Sequence, residues 1–238
     1  MKPPLQNTLR LYLASANTGK LREFRAAAAA RGIAVEPVPG IQNLPTCIED
    51  GATFEGNARK KAVHYSAYAD GPVFADDSGI CVDALGGAPG IHSARFAGPD
   101  AGDAANNQKL LAELRRMETV AAAGACPDVL GDRRTDSALG EPSYTPAERA
   151  QGPAPRNRSA HYICIIALAE RGAIVTIVEG RADGLIIDEP RGTGGFGYDP
   201  YFFFPPLGKT FAELGPEEKS AVSHRGQAFR KLLDYLKS

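Results

Sequence analysis

The sequence lacks several things that would fix its class at once. It has no tryptophan, and its four cysteines, Cys47, Cys81, Cys126 and Cys164, form no C-x-x-C pair. That scatter speaks against a disulfide framework and for reduced thiols in a cytoplasmic protein. The four histidines show no H-x-x-x-H spacing, which removes the usual zinc signatures. No apolar run approaches about 18 residues, so no membrane span is expected. Met1 to Arg10 lack the apolar core of a signal peptide. Charge of one sign is missing too, since 27 basic residues stand against 28 acidic for a net charge of -1. A protein held to nucleic acid by bulk charge is not expected from that balance.

What is present reads as alternating strands and helices, and 238 residues are enough for one α/β domain with two lobes. Leu9 to Ala14 reads as a strand, followed by a polar loop and a helix from Leu21 to Arg31 that Gly32 stops. A second helix is predicted over Phe54 to Ala69, with Phe54, Ala58, Ala62 and Tyr65 on one face. Pro72 to Ala75 is a short buried strand, Gly86 to Gly90 a turn, and Ala104 to Met117 a helix. From about Thr119 to Arg158 the composition turns to Pro, Gly, Ala, Ser and Arg without apolar period, which predicts a structureless insertion. Strands resume at Tyr162–Leu168 and Ile174–Val178, joined by Arg171-Gly172 as a hairpin. Tyr201 to Phe204 is an aromatic strand, and Phe229, Leu232, Leu233 and Leu236 mark a closing amphipathic helix.

The most informative stretch is Ala75-Asp76-Asp77-Ser78-Gly79. Two adjacent carboxylates at the end of an apolar strand, followed by a small turn, repel each other and resist burial without a cation. Hard oxygen ligands of this kind suit Mg²⁺. Three other segments carry groups for a charged, flat ligand. Ser15-Ala16-Asn17-Thr18-Gly19-Lys20, at a strand-to-helix junction, can cradle a polyphosphate with N–H groups, the helix dipole and an ammonium. Taken alone it reads more readily as an ordinary cap with a solvated lysine, and it is not a Walker A loop. Asn57 and Lys61, one helical turn apart, can face a shared anion, although such basic stretches are mostly solvated. Glu49-Asp50-Gly51 adds carboxylates upstream.

Gly192 to Pro200 sets Phe196 among glycines, where a ring can stack on a base for roughly 1–3 kcal/mol. The same stretch reads equally as a glycine-rich turn with core aromatics. In Lys219-Ser220-Ala221-Val222-Ser223-His224-Arg225, Ser220 or Ser223 can cap the last helix. His224 and Arg225 then sit in its first turn, against the dipole, which hints at an anionic or carbonyl-bearing partner.

Six segments in this order resemble the inosine/xanthosine triphosphate pyrophosphatases, which remove deaminated purine nucleotides from the nucleotide pool. They are Ser15–Lys20, Thr53–Ala62, Ala75–Gly79, Leu85–Arg95, Gly194–Pro200 and Glu218–Gln227, and the resemblance covers nearly the whole chain except residues 119–158. The resemblance implies two α/β lobes around a mixed, elongated sheet, a central cleft and usually a homodimer. It implies Mg²⁺-dependent hydrolysis of ITP, dITP or XTP to the monophosphate and pyrophosphate. By position, Asp77 matches the catalytic, metal-binding carboxylate, and Asp76 and Glu49 are the carboxylates that could help it hold the metal. Ser15, Ala16, Asn17, Thr18, Gly19 and Lys20 match the triphosphate loop, joined by Lys61 and Ser78. Phe196, Gly197, Tyr198 and Asp199 match the base-binding segment, with Lys219, His224 and Arg225 completing the pocket. The family pattern has a glutamate three residues before Gly51, where this chain has Ile48.

Overall fold

The computed structural model describes residues 9–29, 31–124 and 157–237. In chain order the elements are β1 (Arg10–Leu13), α1 (Thr18–Ala29), β2 (Ala34–Pro37), α2 (Phe54–Ser66), β3 (Val73–Val82) and α3 (Asp103–Gly124). They continue with β4 (Ser159–Glu170), β5 (Ala173–Ile186), β6 (Phe202–Phe204), β7 (Lys209–Thr210), α4 (Pro216–Val222) and α5 (His224–Tyr235). The strands form one mixed seven-stranded sheet in the order β2-β1-β3-β4-β5-β6-β7. β1 runs parallel to β2 and to β3, whereas every pairing from β3 to β7 is antiparallel.

Apolar alternation on both faces of the sheet builds the core. On one face, α1 and α5 cover Leu11, Leu13, Phe74, Cys164 and Ile166. The rings of Phe24, Phe74 and Phe229 meet there at 4.9–5.3 Å. On the other, α2 lays Ala58, Ala62 and Tyr65 over Val73, Ala75, Ile165 and Ala167. A second lobe gathers α3 and the far strands around Ile80, Leu110, Leu114, Tyr162, Phe202 and Phe211. Burying large apolar side chains such as these contributes about 1.5–3 kcal/mol each. The site lies between these lobes.

The carboxylate strand departs from its predicted outline. β3 does not end at Ala75 but runs ten residues to Val82, so both aspartates sit mid-strand and Ser78-Gly79 is extended. Pairing with β4 is continuous from Val73↔Ala169 to Val82↔Ala160. The glycine serves close approach rather than a turn: a Cβ on Gly79 would lie 2.3 Å from the Gly90 carbonyl oxygen and 2.6 Å from Ser93 Oγ.

α1 begins three residues earlier than predicted, so Thr18, Gly19 and Lys20 form its first turn, with Asn17 Oδ1 accepting from Lys20 N at 3.0 Å. The third helix runs on to Gly124, because Ala121 to Ala123 continue it with the best helix former. The remainder of the expected insertion, residues 125–156, lies outside the described residues. At Arg171-Gly172 both residues have positive φ, 50° and 82°, as a two-residue hairpin turn requires.

Candidate active site

A cleft of about 590 Å³ opens between the lobes. Of the residues expected at the site, it is lined by Ser15, Ala16, Asn17, Lys20, Glu49, Lys61, Asp77, Ser78, Phe196, Gly197, Tyr198, Asp199, His224 and Arg225. Segments up to 210 residues apart in sequence thus reach one space. Thr18, Gly19, Asp76 and Lys219 do not line it, and each has a physical reason.

Thr18 and Gly19 turn with the helix, but their N–H groups lie at its start, where no intrahelical acceptor exists. They and the helix dipole still present donors near the loop. Asp76 corrects the expectation of a shared carboxylate pair. Adjacent residues of a strand point to opposite faces, so Asp76 follows Phe74 towards α1 and α5, and Asp77 follows Ala75 towards α2.

At the exposed end of the cleft, Asn57 Nδ2 donates to Asp77 Oδ2 at 3.1 Å, and Lys61 Nζ lies 3.8 Å from Asp77 Oδ1 and 3.0 Å from Glu49 Oε2. Lys61 also donates to the main-chain oxygen of Asp76 at 2.8 Å. The shared anion of Asn57 and Lys61 is therefore the protein's own acid group. Burial pushes the Asp77 carboxyl up, and Lys61 and Asn57 offset only part of that. Burial alone would lower the Lys61 ammonium, but Asp76, Asp77 and Glu49 outweigh it and raise it. Asp76 is enclosed with Lys20 at 2.9 Å and Ser78 Oγ at 2.6 Å. Burial would raise its carboxyl too, yet Lys20, Arg225 and Lys61 hold it well below the usual range.

The other end is a locked ion network. Asp199 Oδ2 accepts from Phe196 N at 2.8 Å and from Lys219 Nζ at 2.7 Å. Lys219 reaches Glu23 at 2.6 Å, and Glu23 also pairs with Arg225 Nη1. Lys219 lines an adjoining cavity of about 280 Å³ with Glu23 and Arg225. The charge that the last helix's first turn called for is thus supplied by the protein's own Glu23 and Asp76. Gly195 permits the packing: its φ is +71°, and a Cβ there would lie 2.1 Å from Asp199 Oδ2. The cations of Lys219 and Arg225 sit 5.2 and 5.3 Å from the Phe196 ring centre.

Ser223, not Ser220, caps α5 by accepting from Gly226 N. His224 stacks on Tyr162 at 4.5 Å, and its Nδ1 has no partner. Burial, with Arg225 and Lys219 nearby, lowers its pKa well below the ordinary range and keeps the ring neutral. Tyr198 is anchored by its hydroxyl, which donates to Ser93 O at 2.8 Å. Gly197 is held by Asp103, which accepts from its N–H at 2.7 Å, and by Asn107, which donates to its oxygen at 2.9 Å.

Glu23, Asp103, Asn107 and Tyr162 were not expected here. Glu23 had a signal, since it falls one helical turn after Lys20; the others had none. The combination is a helix start with free N–H groups and a lysine, a buried acid, and an enclosed array of paired charges around Phe196.

The model of the Ham1 family matches residues 11–141 and 145–235. The chain belongs to the Ham1 family. A dITP/XTP pyrophosphatase of Geobacillus kaustophilus is 42% identical over 222 residues, 93% of this chain and 91% of that protein. One of Ralstonia nicotianae is 42% identical over 233 residues, covering 96% of each. Among solved structures, a HAM1 protein from Coxiella burnetii is 37% identical with a TM-score of 0.72, over 97% of this chain and 99% of that one. The resemblance drawn from the six segments, the α/β class and the mixed sheet are borne out. Among the described residues no helix is long and apolar enough to cross a membrane.

Proposed function

We propose that this Ham1-family chain is a nucleoside-triphosphate pyrophosphatase that hydrolyses dITP, ITP and XTP to the monophosphate and pyrophosphate. The observation that carries this reading is one cleft with Asp77 and two lysines at one end and buried, pre-paired donors at the other. The names of the relatives point the same way.

Breaking a phosphoanhydride is mainly a matter of neutralising charge and placing a water in line. Lys20 and Lys61 neutralise phosphate oxygens, aided by the first N–H groups of α1. Asp77, its carboxyl raised by burial, orients the water and accepts its proton. The water oxygen bonds to the α-phosphorus as the bond from that phosphorus to the α–β bridging oxygen breaks, and pyrophosphate departs from the monophosphate.

The donor set suits Mg²⁺. Among the described residues no three His, Cys, Asp or Glu side chains cluster as a closed metal cage. Asp77 and Glu49 flank Lys61, and Mg²⁺ is commonly held by one or two carboxylates plus substrate phosphates. Asp77 and Glu49 would hold it, and when bound it supplies Lewis-acid neutralisation of the phosphates.

At the base end, Phe196 offers a stacking surface while His224 and Arg225 donate to a 6-oxo group. An adenine amino group cannot accept those bonds, so buried donors would go unpaired and ATP is disfavoured. We assign the work to the cytoplasm, to a homodimer and to a single domain interrupted between α3 and β4.

Pyrophosphate release from ITP, XTP, dTTP and GTP, with and without Mg²⁺, tests the reading. Turnover confined to ITP and XTP and dependent on Mg²⁺ is expected. Equal turnover of GTP and ITP would remove base selectivity, and no turnover of any would leave a nucleotide binder.

A further inference from the structure

Asp76 lies where the ion pairs of the two ends meet. Its side chain is wholly enclosed, and a single oxygen, Oδ2, faces Ser78 Oγ at 2.6 Å, Lys20 Nζ at 2.9 Å and Arg225 Nε at 3.6 Å. The last distance is too long for a hydrogen bond. Asp76 Oδ1 and Arg225 Nε are both buried without a partner. From Arg225 the charges continue through Glu23 and Lys219 to Asp199. A buried acceptor with a free oxygen beside a buried donor with a free N–H is an unfinished contact, and such groups normally find each other. The oxygen that Arg225 Nε faces, Oδ2, is already taken by Lys20 Nζ and Ser78 Oγ.

The geometry points to Asp76 as a positioning residue that couples the two ends of the cleft. A triphosphate draws the Lys20 ammonium off Oδ2, Asp76 then engages Arg225 Nε, and the guanidinium is set for the base. Phosphates and base are read together, so a correct base is favoured most when a polyphosphate is already in place. This rests on the substrate reading above, and it replaces the expected role of Asp76 as a metal ligand with one in which it never touches metal.

The test is a double-mutant cycle on ITP binding in metal-free buffer, by titration calorimetry. Lys20→Ala, Arg225→Ala and the pair are compared with and without Asp76→Asn. In the native background the two substitutions are expected to be non-additive by about fivefold or more, and with Asp76→Asn additive within about twofold. Additivity in the native background, or equal non-additivity in both, overturns the proposal. So does a raised Mg²⁺ requirement for turnover in Asp76→Asn with the cycle unchanged, which is the mark of a metal ligand. Should Asp76→Asn not fold, Ser78→Ala removes one donor from Oδ2 and is expected to change the non-additivity by about twofold or more; no change overturns the proposal.

Turnover of ITP by the unaltered protein, measured in parallel, separates the two readings. A protein that binds ITP without cleaving it fails the function and still completes the cycle. One that does not bind ITP overturns the coupling as stated.

Discussion

At the phosphate end of the cleft, the side chains of Lys20, Asp77 and Glu49 keep 18%, 12% and 36% of their surface open, and Lys61 stands 3.8 Å from Asp77. At the base end, Lys219, Arg225 and Asp199 keep 7%, 6% and 4%, and Lys219 is held at 2.6 and 2.7 Å by two carboxylates. A pair with one partly open member, such as Lys61–Glu49 at 10% and 36%, exchanges partners at lower cost than an enclosed one. Enclosed pairs resist exchange, because losing one partner strands the other charge out of water. On the proposed reading, the more open end would accommodate charge that arrives and leaves, and the enclosed end would discriminate by what it refuses to rearrange.

The comparison breaks first at Asp77. Asp77→Asn is expected to lower pyrophosphate release from ITP by about 10³-fold or more, the range for losing a general base with its charge. The fold should lose nothing. A carboxyl raised by burial disfavours its ionised form in the folded state, so removing it relieves a cost at neutral pH. A melting temperature at or above that of the unaltered protein checks this, and a variant retaining most activity would sink the assignment.

A smaller effect is expected at the enclosed end. Arg225→Ala should reduce the preference for ITP over ATP by about 10–100-fold. It should also destabilise the fold by about 3 kcal/mol, since Glu23 and Asp76 each lose a buried cation. An equal fall on ITP and ATP would contradict the contact with the base.

The smallest effect is on acid stability. His224 is held neutral, its folded value below its unfolded one. Its contribution is therefore complete above the ordinary histidine range near pH 6.5 and is lost as pH falls below it. Urea unfolding should show the protein losing about 1 kcal/mol or more between pH 7 and pH 5. His224→Gln should show a flatter dependence there, and equal slopes would contradict it. Glu23 and Asp76, both held low, add a further loss only below about pH 4.

Much of this was legible in the chain. The helical period of Phe229, Leu232 and Leu233 and the Arg171-Gly172 turn are local signals, and local signals survive into the fold. Ser78-Gly79 misled because it reads as a turn, whereas its extension is imposed by ten consecutive pairs with β4 and by Gly90 packing on Gly79. With the strand cut short, the opposite faces of Asp76 and Asp77 could not be read. Glu23 was hidden for another reason: its partners Lys219 and Arg225 lie 196 and 202 residues away, and no local pattern records them.

β1 stops at Leu13, pairing with β3 only at Tyr12↔Val73 and Leu13↔Phe74, while β3 continues to Val82. Past Phe74, the middle of the sheet therefore contains a stretch of bare strand margin of the kind proteins normally confine to their periphery. Lys61 caps the Asp76 carbonyl and Ser93 Oγ accepts from Ile80 N along that margin. Between them, alternation aims the Ser78 backbone at the gap. The cleft thus opens where β1 falls short of β3, and its lining includes Ser15 and Ala16, just past the end of β1, and Asp77 and Ser78 of β3.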